Sequence, residues 1–188
     1  TYEGQDRAID VTNDAENTNL TLKNVTIDCV ASYCQRGVNY NTNGALTLES
    51  VIIKGKNISY ALNCPGYSDN AKVEIINSNL TGKIALNLWG KKMVVNAKDS
   101  FFTSVDNSTA EGYAAISLNN DGQDNSATGT IVNIVGGKII ARDENGDEAT
   151  AIRLETDAQV NVSSTTEVVG NTVQDVAIVT YKGTTDYY

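Results

Sequence analysis

Histidine is missing from this 188-residue chain. Its absence removes the commonest general base, the usual metal ligand and every His-dependent triad. Pro, Trp and Met occur once each and Phe twice, so Val, Ile, Leu and Ala must fill the core. No apolar run approaches the ~20 residues of a membrane-spanning helix, and no membrane insertion is expected. Basic residues are few: 14 Lys and Arg against 23 Asp and Glu, for a net charge of −9. That balance argues against nucleic acid and anionic membranes, which both reward Lys and Arg.

Cysteine is scarce as well. Cys29, Cys34 and Cys64 form no C-x-x-C pair, and without His a zinc site needs other ligands. Cys29 and Cys34 bracket a short loop, DCVASYC. They are either a small disulfide of an extracellular protein or two free thiols. Cys64 is expected to pack inward as a small hydrophobe. Helical spacing is absent too: no ten-residue stretch repeats apolar residues at i, i+3, i+4 and i+7.

Repetition is what the chain does have. A tetrapeptide recurs as AIDV (8–11), GVNY (37–40), ALNC (61–64), ALNL (85–88), AISL (115–118), AIRL (151–154) and AIVT (177–180). The starts are 29, 24, 24, 30, 36 and 26 residues apart. Each is a small residue, an apolar one, a mostly polar one and usually an apolar one, the alternation of a strand with one buried face. A second module follows the first six: LTLKNVTI (20–27), LTLESVII (46–53), VEIINSNL (73–80), MVVNAKDSFF (93–102), VNIVGGKII (132–140) and VNVSSTTEVV (160–169). It reads as two short strands meeting at a corner, which holds Asn24, Ser50, Asn77, Ser100, Gly136 and Ser164. Asn and Gly tolerate left-handed backbone there.

One period therefore holds three strands and three turns, and the chain winds as a single solenoid domain over 1–188. Each strand pairs in parallel with its equivalent one rung later. Ile9, Val38, Leu62, Leu86, Ile116, Ile152 and Ile178 form one inward line. Leu22, Leu48, Ile75, Ile134 and Val162 line a second wall. An antiparallel β-sandwich is the main competitor, but two different modules recurring in phase argue against it. The longer steps insert 103–113, 119–129 and 141–150, which leave the stack as loops.

The A-I-x-L strand, the LTLKNVTI-type bend and the Asn24–Ser50–Asn77 row resemble the right-handed parallel β-helix of the pectate-lyase-like superfamily. The resemblance covers residues 5–183 and implies about seven rungs, a right hand and an asparagine ladder along that row. It implies an all-β fold like that of the adhesive domains of bacterial surface proteins.

In such a coil the third tetrapeptide residue points outward. One sheet then displays Asp10, Asn39, Asn63, Asn87, Ser117, Arg153 and Val179, flanked by Trp89, Asn119, Glu155 and Tyr181. Amides beside an indole suit a sugar: hydrogen bonds for hydroxyls and an apolar platform for the ring. Asn63, Asn87, Trp89, Ser117, Asn119, Arg153 and Glu155 are the expected ligand residues, with a glycan or host-surface glycoprotein as partner. No catalytic residue is assigned. Asp10 and Glu155 sit five strand spacings apart, about 24 Å, against the roughly 5–10 Å of paired carboxylates. Arg153 and Glu155 read as an ion pair. The rival readings are an enzyme acting on acidic polysaccharide and a structural stalk, with a neighbouring domain or second copy on the solenoid ends.

Asp143, Asn145 and Asp147 in DENGDE resemble the start of a calcium loop without its distal Glu. Calcium is the one cofactor to consider, and no other is expected. Six N-x-S/T sequons occur, which does not by itself make a glycoprotein. Asn24 is expected in a buried corner. The module is expected outside the cell, secreted or attached to its surface, as a fragment of a larger protein.

Overall fold

Leu62, Leu86 and Ile116 stand directly over one another, with Ile9 and Val38 below and Ile152 above. The repeat predicts this stack, and the computed structural model shows it through six rungs, from Ile9 to Ile152. The structure describes residues 1–14, 16–55, 57–105, 114–122, 125–143, 145–147, 149–174 and 180–182, with the backbone alone from 171 onward. Ile178 and Val179 lie outside the described residues.

Three parallel sheets wrap one core, a parallel β-helix with three strands per rung. The first sheet runs through Arg7–Val11, Cys34–Tyr40, Ile58–Cys64, Ile84–Leu88, Ile116–Leu118, Thr150–Leu154 and Asn171–Gln174. The second takes Leu20–Lys23, Ala45–Glu49, Lys72–Ile76, Val94–Lys98, Ile131–Val135, Gln159–Val162 and Thr180–Lys182. The third holds Thr26–Cys29, Ile52–Gly55, Asn79–Gly82, Phe101–Ser104, Lys138–Ala141 and Glu167–Val169. Six rungs are therefore complete and a seventh is partial. The seventh rung departs from the tetrapeptide pattern. Its first-sheet strand is Asn171–Gln174, while Tyr181 pairs with Val160 in the second sheet. Glu167–Val169 turns through Gly170 (φ 129°) straight into the first sheet, so the chain arrives there earlier than spacing suggests.

The small residue that opens each tetrapeptide has a packing reason. Gly37, Ala61, Ala85, Ala115 and Ala151 are buried, and so are the residues after them, Val38, Leu62, Leu86, Ile116 and Ile152. Two consecutive inward side chains mark an inside bend, where a large first residue does not fit; a Cβ on Gly37 would collide with Ile53 Cγ2. Leu46, Val73, Val95, Val132 and Val160 form a further aliphatic line in the second sheet. Cys64 is fully buried, and burial pushes its thiol up to about 12. Tyr40 is also fully buried and donates its hydroxyl to Thr18 O at 2.6 Å, which satisfies the polar tip of a large core residue.

The corner between second and third sheets is left-handed as expected, at Asn24 (φ 54°), Ser50 (φ 55°), Asn77 (φ 47°) and Gly136 (φ 70°). In the fourth rung Asp99 (φ 49°), not Ser100, takes that position. The row is no buried amide ladder, because the side chains of Asn24, Ser50 and Asn77 are exposed. A left-handed residue between two inward-facing strands turns its own side chain to solvent. Asn24 is therefore on the surface, not in a buried corner. The buried polar residues come one position later. Ser78 Oγ accepts from Val51 N at 3.0 Å, and Ser100 Oγ accepts from Ser78 N at 3.1 Å.

Candidate functional site

Outward amides in the first sheet bond to each other. Asn39 Nδ2 donates to Asp10 Oδ1 (2.7 Å), Asn63 to Asn39 (2.8 Å), Asn87 to Asn63 (2.6 Å) and Asn119 to Asn87 (2.8 Å). Asn39, Asn63 and Asn87 are each 2 % exposed. In register, Ser117 follows Asn87 and Arg153 follows Ser117. Asn119 nevertheless closes the ladder from two residues further on. Ser117 is fully buried, and its hydroxyl has no hydrogen-bond partner among the described residues.

Asp10 terminates this row. An ionised carboxylate only accepts hydrogen bonds, so Asn39 must present its NH2, which leaves its oxygen for Asn63, and so on along the sheet. Burial opposes ionisation of Asp10. The Asn39 and Arg7 hydrogen bonds and the Arg7 and Arg36 charges outweigh it and hold the carboxyl below its ordinary value. A second ladder of the same polarity runs on the second sheet: Gln159 to Asn161 (2.7 Å), to Asn133 (2.7 Å), to Asn96 (2.9 Å), to the Glu74 carboxylate (2.7 Å).

Asn63, Asn87 and Trp89 do come together, in a groove of about 310 Å³ also lined by Arg36, Tyr60, Pro65, Gly66, Asp121 and Asn125. Arg36 and Tyr60 were not among the residues expected from sequence. Each stands immediately before the small residue of its tetrapeptide, and Arg7, Arg36 and Tyr60 align in register. Aligning the repeat one residue earlier brings them out. Burial, then the neighbouring Arg7 charge, lowers the Arg36 pKa, while Tyr60, Asp6 and Asp10 act the other way. Its Nε is buried without a hydrogen-bond partner among the described residues. Asp121 and Asn125 come from the 119–129 insertion. Asn125 Nδ2 donates to Asp121 Oδ2 at 2.8 Å, and Asn125 Oδ1 rests where a Cβ on Gly66 would stand. The glycine lets the loop close over the groove.

Ser117, Asn119, Arg153 and Glu155 do not line that groove. Arg153 Nε lies 3.0 Å from Glu155 Oε1, the expected ion pair, and Glu155 Oε2 accepts from Asn120 N at 3.3 Å. In the acidic loop, Asp143 Oδ1 accepts the backbone N–H groups of Asn145 (2.8 Å) and Asp147 (2.9 Å). The Asp147 backbone bond is the largest influence holding the Asp143 carboxyl below its usual value. Those bonds tie the carboxylate into its own turn. Among the described residues no three His, Cys, Asp or Glu side chains gather where they would hold a metal ion. Cys29 and Cys34 are buried free thiols. Cys34 Sγ lies 3.5 Å from Arg36 O. Burial first, then the neighbouring Cys34 thiol, pushes Cys29 up to about 12.

No family model, curated protein or solved structure is significantly similar to this chain. The function must be argued from the groove.

Proposed function

We propose that this chain is a binding module, secreted or surface-exposed, that holds a glycan or the glycan of a glycoprotein in the Trp89 groove without cleaving it. One juxtaposition carries the reading: Trp89 and Tyr60 share a groove with Asn63, Asn87 and the Arg36 guanidinium. Aromatic faces take the apolar side of a sugar ring, and the amide N–H and guanidinium groups meet its hydroxyls. The ladder fixes the orientation of Asn63 and Asn87, since each donates an N–H to its neighbour. Asp121 is the one carboxylate lining this groove among the described residues, and hydrolysis by paired carboxylates needs two. The resemblance of the A-I-x-L and LTLKNVTI-type repeats to those of pectate-lyase-like adhesive domains is the ground for the extracellular placement. A glycan array probed with the native chain, Trp89→Ala and Tyr60→Ala tests it. Loss of retention in both variants is expected; retention unchanged by either removes the groove as the site.

A specific observation also favours end-to-end association. In the first rung Ile9, Val11, Leu20, Leu22 and Val25 are only partly buried, whereas Val38, Tyr40, Leu46, Leu48 and Val51 one rung later are fully buried. The first rung thus presents an apolar cross-section with open strand edges, the kind of surface that solenoids cover. A second copy or a neighbouring domain is the proposed cover. Light scattering of this chain across concentration distinguishes self-association from the need for another domain.

A further inference from the structure

A second groove, of about 340 Å³, is lined by Lys91, Lys92, Asn120, Gly122, Ser126 and Thr128, and Asn120 and Ser126 form an antiparallel bridge. Its charge is unusual for this chain. The protein carries −9 overall, yet these adjacent lysines line one concave surface, and neither is ion-paired among the described residues. The nearby Glu155 carboxylate is engaged by Arg153 and the Asn120 backbone.

The backbone of Lys92 adds an independent observation. Lys92 adopts φ 53°, a left-handed conformation that a long side chain rarely takes. The equivalent corners of the flanking rungs use Asn70 (φ 62°) and Gly129 (φ 73°), residue types that tolerate it. A lysine kept at a strained corner beside a second lysine, neither ion-paired among the described residues, points to a ligand; the Asp69 carboxylate is engaged by the Lys91 backbone N–H at 2.6 Å. Ser126 and Thr128 also line the groove. Their hydroxyls lie 2.6 Å apart, and that of Thr128 is also 2.6 Å from Thr156 Oγ1. Hydroxyl protons rotate, so this cluster can turn donors toward an incoming anion.

We propose that this groove binds a tetrahedral oxyanion, either a sulfate ester or a phosphate monoester. Lys91 and Lys92 neutralise its charge, and Ser126 and Thr128 donate to its oxygens. The inference does not depend on a sugar occupying the Trp89 groove.

Amide NMR of the full chain tests it directly, with sodium sulfate and sodium phosphate titrated against sodium chloride at matched ionic strength. Saturable shifts at Lys91, Lys92 and Gly122 are expected with the tetrahedral anions alone. Lys91→Gln with Lys92→Gln should weaken binding roughly tenfold or more, since each charged hydrogen bond is worth about that factor. Lys92→Asn should lose affinity while melting at or above the native temperature, because asparagine relieves the backbone. Trp89→Ala should leave inorganic anion binding unchanged, which separates this site from the glycan reading. A sulfated oligosaccharide and a sugar phosphate, each compared with its unsubstituted parent, identify the source of the anion. Equal shifts with chloride, undiminished affinity in the double glutamine variant, a lower melting temperature for Lys92→Asn, or no preference for either ester over its parent would overturn the proposal.

Discussion

Asn39 donates to Asp10 across 2.7 Å, and that one bond orients every amide behind it in the first sheet. Asp10→Asn removes the acceptor-only terminus and should cost about 1 kcal/mol. The change also alters pH dependence. The folded-state pKa of Asp10 lies below its ordinary value. Its stabilisation is therefore fully present above the unfolded-state value near pH ~3.9 and is lost as pH falls through the lower folded value. Urea unfolding at pH 7 and at steps below pH 4 should show a flatter curve for Asp10→Asn. Curves that stay parallel for native and variant chains would contradict this account of the terminus.

Removing a link from within the row should cost more. Asn63→Ala leaves Asn39 Oδ1 and Asn87 Nδ2 without the partners they have now. Both belong to residues that are almost wholly buried. A loss of about 1–3 kcal/mol is expected. Asn39→Ala combined with Asn63→Ala should cost less than the sum of the two singles, because the shared bond is lost once. Strict additivity in urea denaturation would mean that the ladder does not act as a unit.

Gly66→Ala should open the Trp89 groove without unfolding the protein. A Cβ there displaces Asn125 Oδ1, and the loop carrying Asp121 moves with it. Trp89 is the one tryptophan of the chain, so its fluorescence reports the groove without a label. Stronger acrylamide quenching and weaker glycan retention are expected at a nearly unchanged melting temperature. Quenching identical to that of the native chain would show that Asn125 does not shield the indole.

Folded thiols should be inert. Burial pushes Cys64 to about 12, and burial with the adjacent Cys34 does the same for Cys29. Cys29 and Cys64 therefore hold little thiolate, the reactive form, at pH 8, and Cys34 is shielded because it is fully buried. Ellman's reagent should react with three thiols per chain once denaturant is added and with none before. A mass two daltons lower than the reduced chain would instead reveal a Cys29–Cys34 disulfide.

Much of this architecture was legible in the residues. Alternation within AISL or LTLES is local, and its in-phase return sets which side chains stack. Asn24, Asn77 and Gly136 are residue types that suit left-handed corners, so the bends were legible as well. The last rung was not, because AIVT matches the pattern while the chain had already entered the first sheet at Asn171. Arg36 and Tyr60 were missed because they stand one place before the motif that was aligned.

The sequence alone therefore determined the coil, its aliphatic stacks and the outward row of amides, since each follows from short-range periodicity repeated along the chain. Tertiary structure decided what those amides do. Asn39 and Asn63 are 24 residues apart and meet only when two rungs come into register. Whether Ser117 or Asn119 continues the row, and where Asn125 settles over Gly66, depends on geometry that no local pattern encodes. Residues distant along the chain choose partners in space, and that choice turned a row of exposed polar groups into a buried polarised ladder beside a groove.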